Sequence, residues 1–479
     1  MAAQQAGVSA SAALDPRTRL LLEGPIAPTL LRLGAPNVLV MLAQSAVGLI
    51  ETWFVGKLGT DALAGMALVF PAVMLMQMMS AGAMGGGIAS AVARALGARR
   101  RDDANALVFH ALVIALLFGL GFTALMLTGG RWLYAEMGGT GRSLDAALAY
   151  SQWVFAGAVL VWLFNSLSAL IRGTGNMAVP AIVTCGGVVL LVPLSPLLIF
   201  GWGPVPGLGI AGGAVALLIY YAAGTLVLAA YLRSRRSLLR LSLADCRVRR
   251  LRWPLFKDIL RVGLVAAVST LATNLCIAIA TALAGAFGPA AIAGYGTASR
   301  LEYLLVPLVF GLGAPLLAMV GTCIGAGQRK RALKAAWIGA ALAMALTEAI
   351  GLGAALFPRA WLSLFDSDPA MIAAGTHYLR IVGPWYGFFG LGLVLYFASQ
   401  GAGRLLWPVI GNAARLAVAA AGGWLALRCA GDLAIVFAAQ AAAMVAYGLV
   451  NAYAVAGGAW FGRPGWPRSP AGLVRSAVA

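Results

Sequence analysis

The chain is poor in charged residues. They make up 10% of its 479 residues, against about 25% in a typical soluble domain. A chain with so few charges cannot cover the surface of a soluble fold, so most of its outer surface must face an apolar medium. Hydrophobic residues account for 61% of the sequence, and the mean hydropathy is +0.90. A lipid bilayer is the medium that fits this composition.

The motifs of soluble enzymes are missing as well. The sequence has neither a G-x-x-x-x-G-K-[ST] element nor an H-E-x-x-H element, and its two histidines, His110 and His377, lie far apart. The five cysteines are scattered without metal-binding or redox spacing. We therefore expect no enzymatic activity, no metal site and no bound cofactor.

The net charge of +19 does not indicate nucleic-acid binding, because the basic residues lie between apolar stretches, as topology signals do. Most of them fall on the side that holds both termini and the central loop. The opposite side holds five: Lys57, Arg131, Arg142, Arg359 and Arg428. By the positive-inside rule we expect both termini in the cytoplasm, and the chain in the cell inner (plasma) membrane in contact with membrane lipids.

Twelve segments have the length and apolar character of bilayer-crossing helices, which need about 20 residues. They are 30–55, 63–92, 105–128, 148–171, 177–200, 208–232, 259–284, 290–320, 333–357, 375–400, 406–427 and 432–456. We expect kinks near Pro71 and Pro307 in the two longest. The runs are continuous, which predicts an all-α membrane protein and not a β-barrel. Met1 to Pro28 lack the pattern of a cleaved signal peptide, so we expect the first span to act as the insertion signal.

The two halves of the sequence resemble each other at an offset near 228 residues. LGTDALAG (58–65) matches FGPAAIAG (287–294), and ALGARRRDDANAL (95–107) resembles CIGAGQRKRALKA (323–335). The closest single-residue matches are Tyr150 with Tyr378, Gly173 with Gly401, Gly175 with Gly403 and Pro180 with Pro408. Six spans per half give both halves the same orientation, which predicts a pseudo-two-fold axis along the membrane normal and alternating access by rocking.

This repeat predicts the domain organisation. We expect a cytoplasmic N-terminal segment at 1–29, an N-lobe of six spans at 30–232 and a basic cytoplasmic linker at 233–258. A C-lobe of six spans at 259–456 and a cytoplasmic tail at 457–479 complete the chain.

Three acidic residues fall inside predicted spans, namely Glu51, Glu302 and Glu348, and such residues are functional hypotheses by default. Glu51 lies six residues before Lys57, about 9 Å from the outer end of its span at 1.5 Å per residue. We interpret it as a carboxylate that binds the coupling ion, the alternative being an interfacial acid. Gln44 lies two turns earlier on the same helix face and is a candidate cavity residue.

Further intramembrane polar residues are candidates for the substrate site or its cavity. Arg300 and Glu302 are two residues apart and do not face each other on a helix, so each should have its partner elsewhere. A buried structural ion pair is the alternative for Glu302, and a structural role is favoured for Glu348. Asn165, Asn274, Tyr295 and Gln400 complete the candidates, with hydrogen bonding between helices as the alternative explanation.

Several stretches together resemble the multidrug and toxic compound extrusion (MATE) family of transporters. In the first half these are Pro36, Gln44 and the run Glu51 to Gly59, LGTDALAG at 58–65, and the loop from Arg172 to Asn176. In the second half they are GLGAP at 311–315, IGAGQ at 324–328 and the run Ser399 to Gly403. The resemblance covers nearly the whole chain, approximately 25–455.

The resemblance implies an antiporter that exports amphipathic or cationic drug-like molecules in exchange for protons or sodium ions, and that works as a monomer. Glu51 stands where the family often has an aspartate. The seventh and tenth helices lack the acids that some members carry there, and Ser195-Pro196 stands where the fifth helix commonly has Asp before Pro. These departures favour proton coupling through the N-lobe. The alternatives are a flippase for lipid-linked precursors and a membrane protein that does not transport.

Overall fold

The computed structural model describes residues 15–201, 206–241, 251–365, 368–429 and 432–461, and this part of the chain is helical throughout its regular elements. Eleven helices of the described part are long and apolar enough to cross a membrane, and the bent pair Gly141–Ala156 and Ala158–Gly173 makes a twelfth span. The prediction of twelve spans is confirmed. Cys246, the middle of the linker (242–250) and most of the C-terminal tail lie outside the described residues.

The first half contains spans 1 to 6. Their bounds are Ile26–Gly56 (span 1), Thr60–Gly97 (span 2), Arg101–Glu136 (span 3), Gly141–Ala156 with Ala158–Gly173 (span 4), Ala178–Phe200 (span 5) and Ile210–Arg233 (span 6). A short helix, Pro16–Glu23, precedes span 1. Span 4 bends by 47° at Gly157, between its two helices.

The second half contains spans 7 to 12. Their bounds are Trp253–Gly285 (span 7), Pro289–Gly325 (span 8), Arg329–Leu356 (span 9), Pro369–Gly401 (span 10), Leu406–Cys429 (span 11) and Leu433–Ala456 (span 12). Span 10 passes through a 3-10 turn at Gly383–Trp385. The short helices Pro358–Leu362 and Ala459–Phe461 follow spans 9 and 12.

The helices continue through both prolines where kinks were expected. Pro71 lies inside the α-helix Thr60–Gln77, and Pro307 lies inside the unbroken span 8. Neighbouring helices can satisfy the backbone groups that proline frees within a membrane. Span 2 departs from α-helical geometry later, in a π-helix over Met78–Met84, before it resumes as Gly85–Gly97.

Large apolar side chains cover the outside of the bundle. Leu117 is 62% exposed, Val189 73% and Leu226 71%. Exposed apolar residues on long helices of this kind are stable in contact with lipid tails, not with water. The surface therefore agrees with an integral membrane protein.

The backbone repeats its unusual conformations at the offset found in the sequence. Three pairs of positions with positive φ correspond: Gly59 (109°) with Gly288 (98°), Arg99 (59°) with Gly327 (74°), and Gly175 (81°) with Gly403 (71°). Close helix packing repeats too, since a methyl group added at Gly65 or at Gly294 would lie 2.7 Å from the Cβ of Ala146 or Ala374 respectively. The chain therefore forms two six-helix halves related by a pseudo-two-fold axis.

Spans 2 and 8 cross each other at the end of the bundle that carries the arginine-rich loops, which we call the basic end. A methyl group added at Gly97 would overlap the carbonyl oxygen of Thr322, and one added at Gly325 would overlap that of Arg94. These two contacts are equivalent under the pseudo-two-fold axis. Glycine is required here because the two backbones approach too closely for a side chain.

The N-terminal helix also joins the two halves at the basic end. The Arg331 side chain donates from Nε to the Leu21 carbonyl at 3.2 Å and from Nη2 to the Gly24 carbonyl. On the other half, Arg17 donates from Nη1 to the Tyr231 hydroxyl at 3.3 Å. Arg94 adds an ion pair to Asp258, at the start of span 7, at 2.8 Å.

Away from the basic end the halves pack within themselves. The helix Thr60–Gln77 of span 2 packs on the first helix of span 4, and span 8 packs on Pro369–Val382 of span 10. The halves still meet where the π-helix Met78–Met84 contacts span 7. We conclude that the cleft between the halves opens toward the end opposite the basic loops.

We predict that Gly97→Ala destabilises the protein by about 1–3 kcal/mol, the usual cost of forcing extra volume into a packed site. The measurement is the unfolding temperature of the purified protein in detergent. Gly121→Ala is the matched control, because a methyl group there meets no atom within 4 Å. Equal unfolding temperatures for the two variants would contradict the crossing.

Candidate functional site

Glu51 lies within span 1 and is only 7% exposed. Its Oε1 is buried and has no hydrogen-bond partner among the residues that the structure describes. The carboxylate interacts electrostatically with Tyr150 of span 4 and Tyr221 of span 6, so the three side chains face one region of the first half. A carboxylate placed in this way must either bind a cation or take up a proton.

Next to this carboxylate region, a network of neutral polar side chains connects spans 2, 4 and 6. The Asn165 amide donates to Gln77 Oε1 at 3.1 Å and to Ser80 Oγ at 2.8 Å. The Gln77 amide in turn donates to the Tyr221 hydroxyl. Because Tyr221 also interacts with Glu51, the network leads from the carboxylate to the start of the π-helix.

Gln44, which was expected to assist Glu51, is half-buried in span 1 and makes no hydrogen bond with the described residues. The structure therefore does not bring Gln44 into the network. Asn274 is exposed, donates to the Thr270 carbonyl at 2.9 Å and approaches the Met78 sulfur at 3.9 Å. It lies where span 7 meets the π-helix.

The second half has its own carboxylate, Glu302, which is half-buried. Tyr378 donates a hydrogen bond from its hydroxyl to Glu302 Oε1, and Arg415 of span 11 interacts electrostatically with the same carboxylate. The Tyr295 ring packs edge-on against Tyr378 at 5.2 Å between centroids. Arg300, in contrast, is exposed, and its guanidinium lies 5.3 Å from the Phe365 ring centroid.

Glu348 has a contact of another kind. Its Oε2 accepts a hydrogen bond at 2.7 Å from the backbone N–H of Gly387, just after the 3-10 turn of span 10. This bond satisfies an N–H group at a helix start inside the membrane, where water is absent. The contact fits the structural role that the sequence favoured.

A small cavity, partly open to the outside, lies between the halves. Spans 2, 4, 8 and 10 line it, and its polar side chains are Arg172 and Gln400. These two residues stand 228 positions apart, so they are equivalent under the pseudo-two-fold axis. The first half lines the cavity with small residues such as Gly86 and Ala89, and the second half with Phe310, Leu317 and Phe397.

Sequence reasoning missed four residues at these sites: Tyr150, Tyr221, Arg172 and Arg415. The match of Tyr150 with Tyr378 was visible in the repeat and could have marked both tyrosines as neighbours of acids. Arg172 was counted as a topology signal because it ends its span. Among the described residues, no cluster of three or more His, Cys, Asp or Glu could hold a metal ion.

Comparison with known proteins gives relatives that share most of the chain. The chain is 31% identical to a probable multidrug resistance protein NorM of Deinococcus radiodurans, over 78% of this chain and 82% of that protein. It is 27% identical to a FAD transporter of Shewanella oneidensis, over 79% and 82%. A solved MOP superfamily transporter of Pyrococcus furiosus has the same fold, with a TM-score of 0.83, 24% identity and coverage of 92% and 97%.

The family comparison matches both halves of the chain. The model described as MatE matches residues 36–197 and 266–425, which together exceed half of the sequence. The two matched segments begin and end at nearly the offset of the internal repeat, and their residues form the two halves of the fold. The chain belongs to the MatE family of membrane transporters.

Proposed function

We propose that this protein is a secondary active antiporter that exports amphipathic or cationic drug-like molecules in exchange for protons or sodium ions. The observation that carries the proposal is the buried Glu51 carboxylate with its unpartnered Oε1. The names of the relatives, a multidrug resistance protein and a FAD transporter, support export of amphipathic molecules.

The position of Glu51 explains how one site can couple two fluxes. Leaving the carboxylate charged and unpaired in a site of low dielectric is costly, so either a proton, a sodium ion or a cationic group of the substrate must neutralise it. When one of these leaves, another must replace it. Competition for a single charge gives exchange, and no enzymatic step or bound cofactor is needed.

The contacts between the halves support alternating access. The halves meet at the basic end through the crossing of spans 2 and 8, and the cleft opens at the other end. Rocking about the interface would open the basic end and close the opposite one, as in transporters built from parallel repeats. The bonds from Arg331 to the N-terminal helix and from Arg94 to Asp258 must then break.

The proposed topology follows from the same fold. We place the basic end, and with it both termini, in the cytoplasm, since arginine-rich loops are retained there. The cleft then opens away from the cytoplasm, where export requires release. Each half spans the membrane six times within one chain, so we expect a functional monomer in the cell inner membrane.

We predict that Glu51→Gln slows substrate efflux from proteoliposomes by about tenfold or more, the effect of losing about 1.4 kcal/mol of coupling. The amide cannot take up a proton or balance a cation. Ethidium efflux is measured under separately imposed proton and sodium gradients, and the gradient that drives the wild-type protein identifies the coupling ion.

Asp61→Asn is the matched control for this experiment, because Asp61 is an exposed carboxylate in the first turn of span 2. It should transport at the wild-type rate. Normal gradient-driven efflux by Glu51→Gln would refute the assignment of Glu51, and wild-type protein that moves no substrate under either gradient would refute the antiporter.

We also predict that, of two reporter proteins fused after Ala479, only the one that works in the cytoplasm is active. A green fluorescent protein fusion should fluoresce, and an alkaline phosphatase fusion should be inactive. The control fusion follows Cys429, at the end of span 11, and must show the opposite behaviour. Two fusions with the same behaviour would show that the topology is wrong.

A further inference from the structure

Arg172 is a partly buried cation that forms no ion pair with the described residues. It lies near the end of span 4, one residue before the close packing of Gly173 against Ala89, and its side chain lines the cavity between the halves. A guanidinium has five N–H donors, and none of the described residues accepts a hydrogen bond from it. The guanidinium lies over the Phe310 ring, with 6.0 Å between Arg172 Cζ and the ring centroid.

Gln400 faces the same cavity with an acceptor that is also unused. The residue is fully buried, and its Nε2 donates to the carbonyls of Gly82 at 3.2 Å and Ala83 at 3.4 Å. Its Oε1 is buried without a hydrogen-bond partner. The cavity therefore presents an array of unsatisfied cationic donors and one unsatisfied acceptor.

None of the described carboxylates around the interface forms an ion pair with Arg172. Glu51 faces Tyr150 and Tyr221, Glu302 accepts from Tyr378, and Asp258 pairs with Arg94. A charge that is partly withdrawn from water and has no partner is costly, and the guanidinium fork of arginine matches two oxygens of a phosphate or carboxylate group. The missing partner is therefore an anion that comes from a ligand.

We propose that the Arg172–Gln400 cavity binds the oxoanion group, phosphate or carboxylate, of an amphipathic ligand. Arg172 donates to the oxoanion, and a hydroxyl of the ligand donates to Gln400 Oε1. Phe310 and Phe397, which line the same cavity, offer an aromatic wall to the ring system attached to the oxoanion. The inference rests on the proposed export function and extends its substrates from cations to zwitterions and anions.

The test uses flavin mononucleotide and riboflavin, which are both fluorescent and differ by one phosphate group. Fluorescence anisotropy of each is measured with the full-length protein in neutral detergent. We expect the phosphorylated flavin to bind about tenfold or more tightly than riboflavin, the effect of a charged hydrogen-bonded contact. Arg172→Gln should abolish the preference, and Arg172→Lys should keep part of it.

Arg131→Gln is the matched control, because Arg131 is exposed in span 3, and it should bind both flavins as the wild type does. If Arg172→Gln does not fold, Gly86→Ala gives a second test, since the added methyl would overlap the Gln400 side chain without removing a charge. It should also abolish the preference. Equal binding of the two flavins by the wild type, or an unchanged preference in folded Arg172→Gln, would overturn the site.

The remaining arms separate the possible sources of the oxoanion. Displacement of flavin mononucleotide by phosphatidylglycerol in phosphatidylcholine nanodiscs would assign the site to a lipid head group, and no displacement would assign it to a soluble substrate. Binding needs no ion gradient. Phosphate-selective binding without driven efflux would therefore refute the antiporter and leave the anion site, whereas ethidium efflux without phosphate-selective binding would refute the site alone.

Discussion

The architecture depends on one close approach of two backbones, the crossing of spans 2 and 8 at the basic end. Gly97 packs on Thr322 and Gly325 packs on Arg94, so each half supplies one glycine and one carbonyl to the same junction. Lipid tails provide no hydrophobic drive for helix association, and small residues that allow backbone contact take its place. The cleft at the opposite end and the cavity above the junction both follow from where this contact lies.

The internal repeat places equivalent tyrosines in the two halves, but the acids beside these tyrosines come from spans that are not equivalent. Tyr150 and Tyr378 are equivalent in the two halves and are both buried. Tyr150 lies near Glu51 of span 1, and Tyr378 bonds to Glu302 of span 8. Span 1 and span 8 are not equivalent under the pseudo-two-fold axis. Each half thus has a carboxylate next to the equivalent tyrosine, buried in the first half and half-buried in the second, where Arg415 interacts with it electrostatically.

The sequence was sufficient for the spans and the repeat because both are recorded in local hydropathy and spacing. The sequence was less informative about residues that are distant along the chain and come close only in the folded protein. The approach of Tyr221 to Glu51 depends on the packing of span 6, and the place of Arg172 in the cavity depends on the bend of span 4 at Gly157. The π-helix Met78–Met84 of span 2 was not predicted, because the sequence analysis considered only a kink near Pro71.

The π-helix of span 2 joins the two halves through its main chain. A π-turn widens the helix by one residue and shifts its carbonyl groups, and here the carbonyls of Gly82 and Ala83 accept the Gln400 amide from the other half. The contact between spans 2 and 10 is thus made by the main chain of span 2. A substitution of a side chain within the turn leaves both carbonyl acceptors in place, so the joint between the halves does not depend on the side chains that the turn presents.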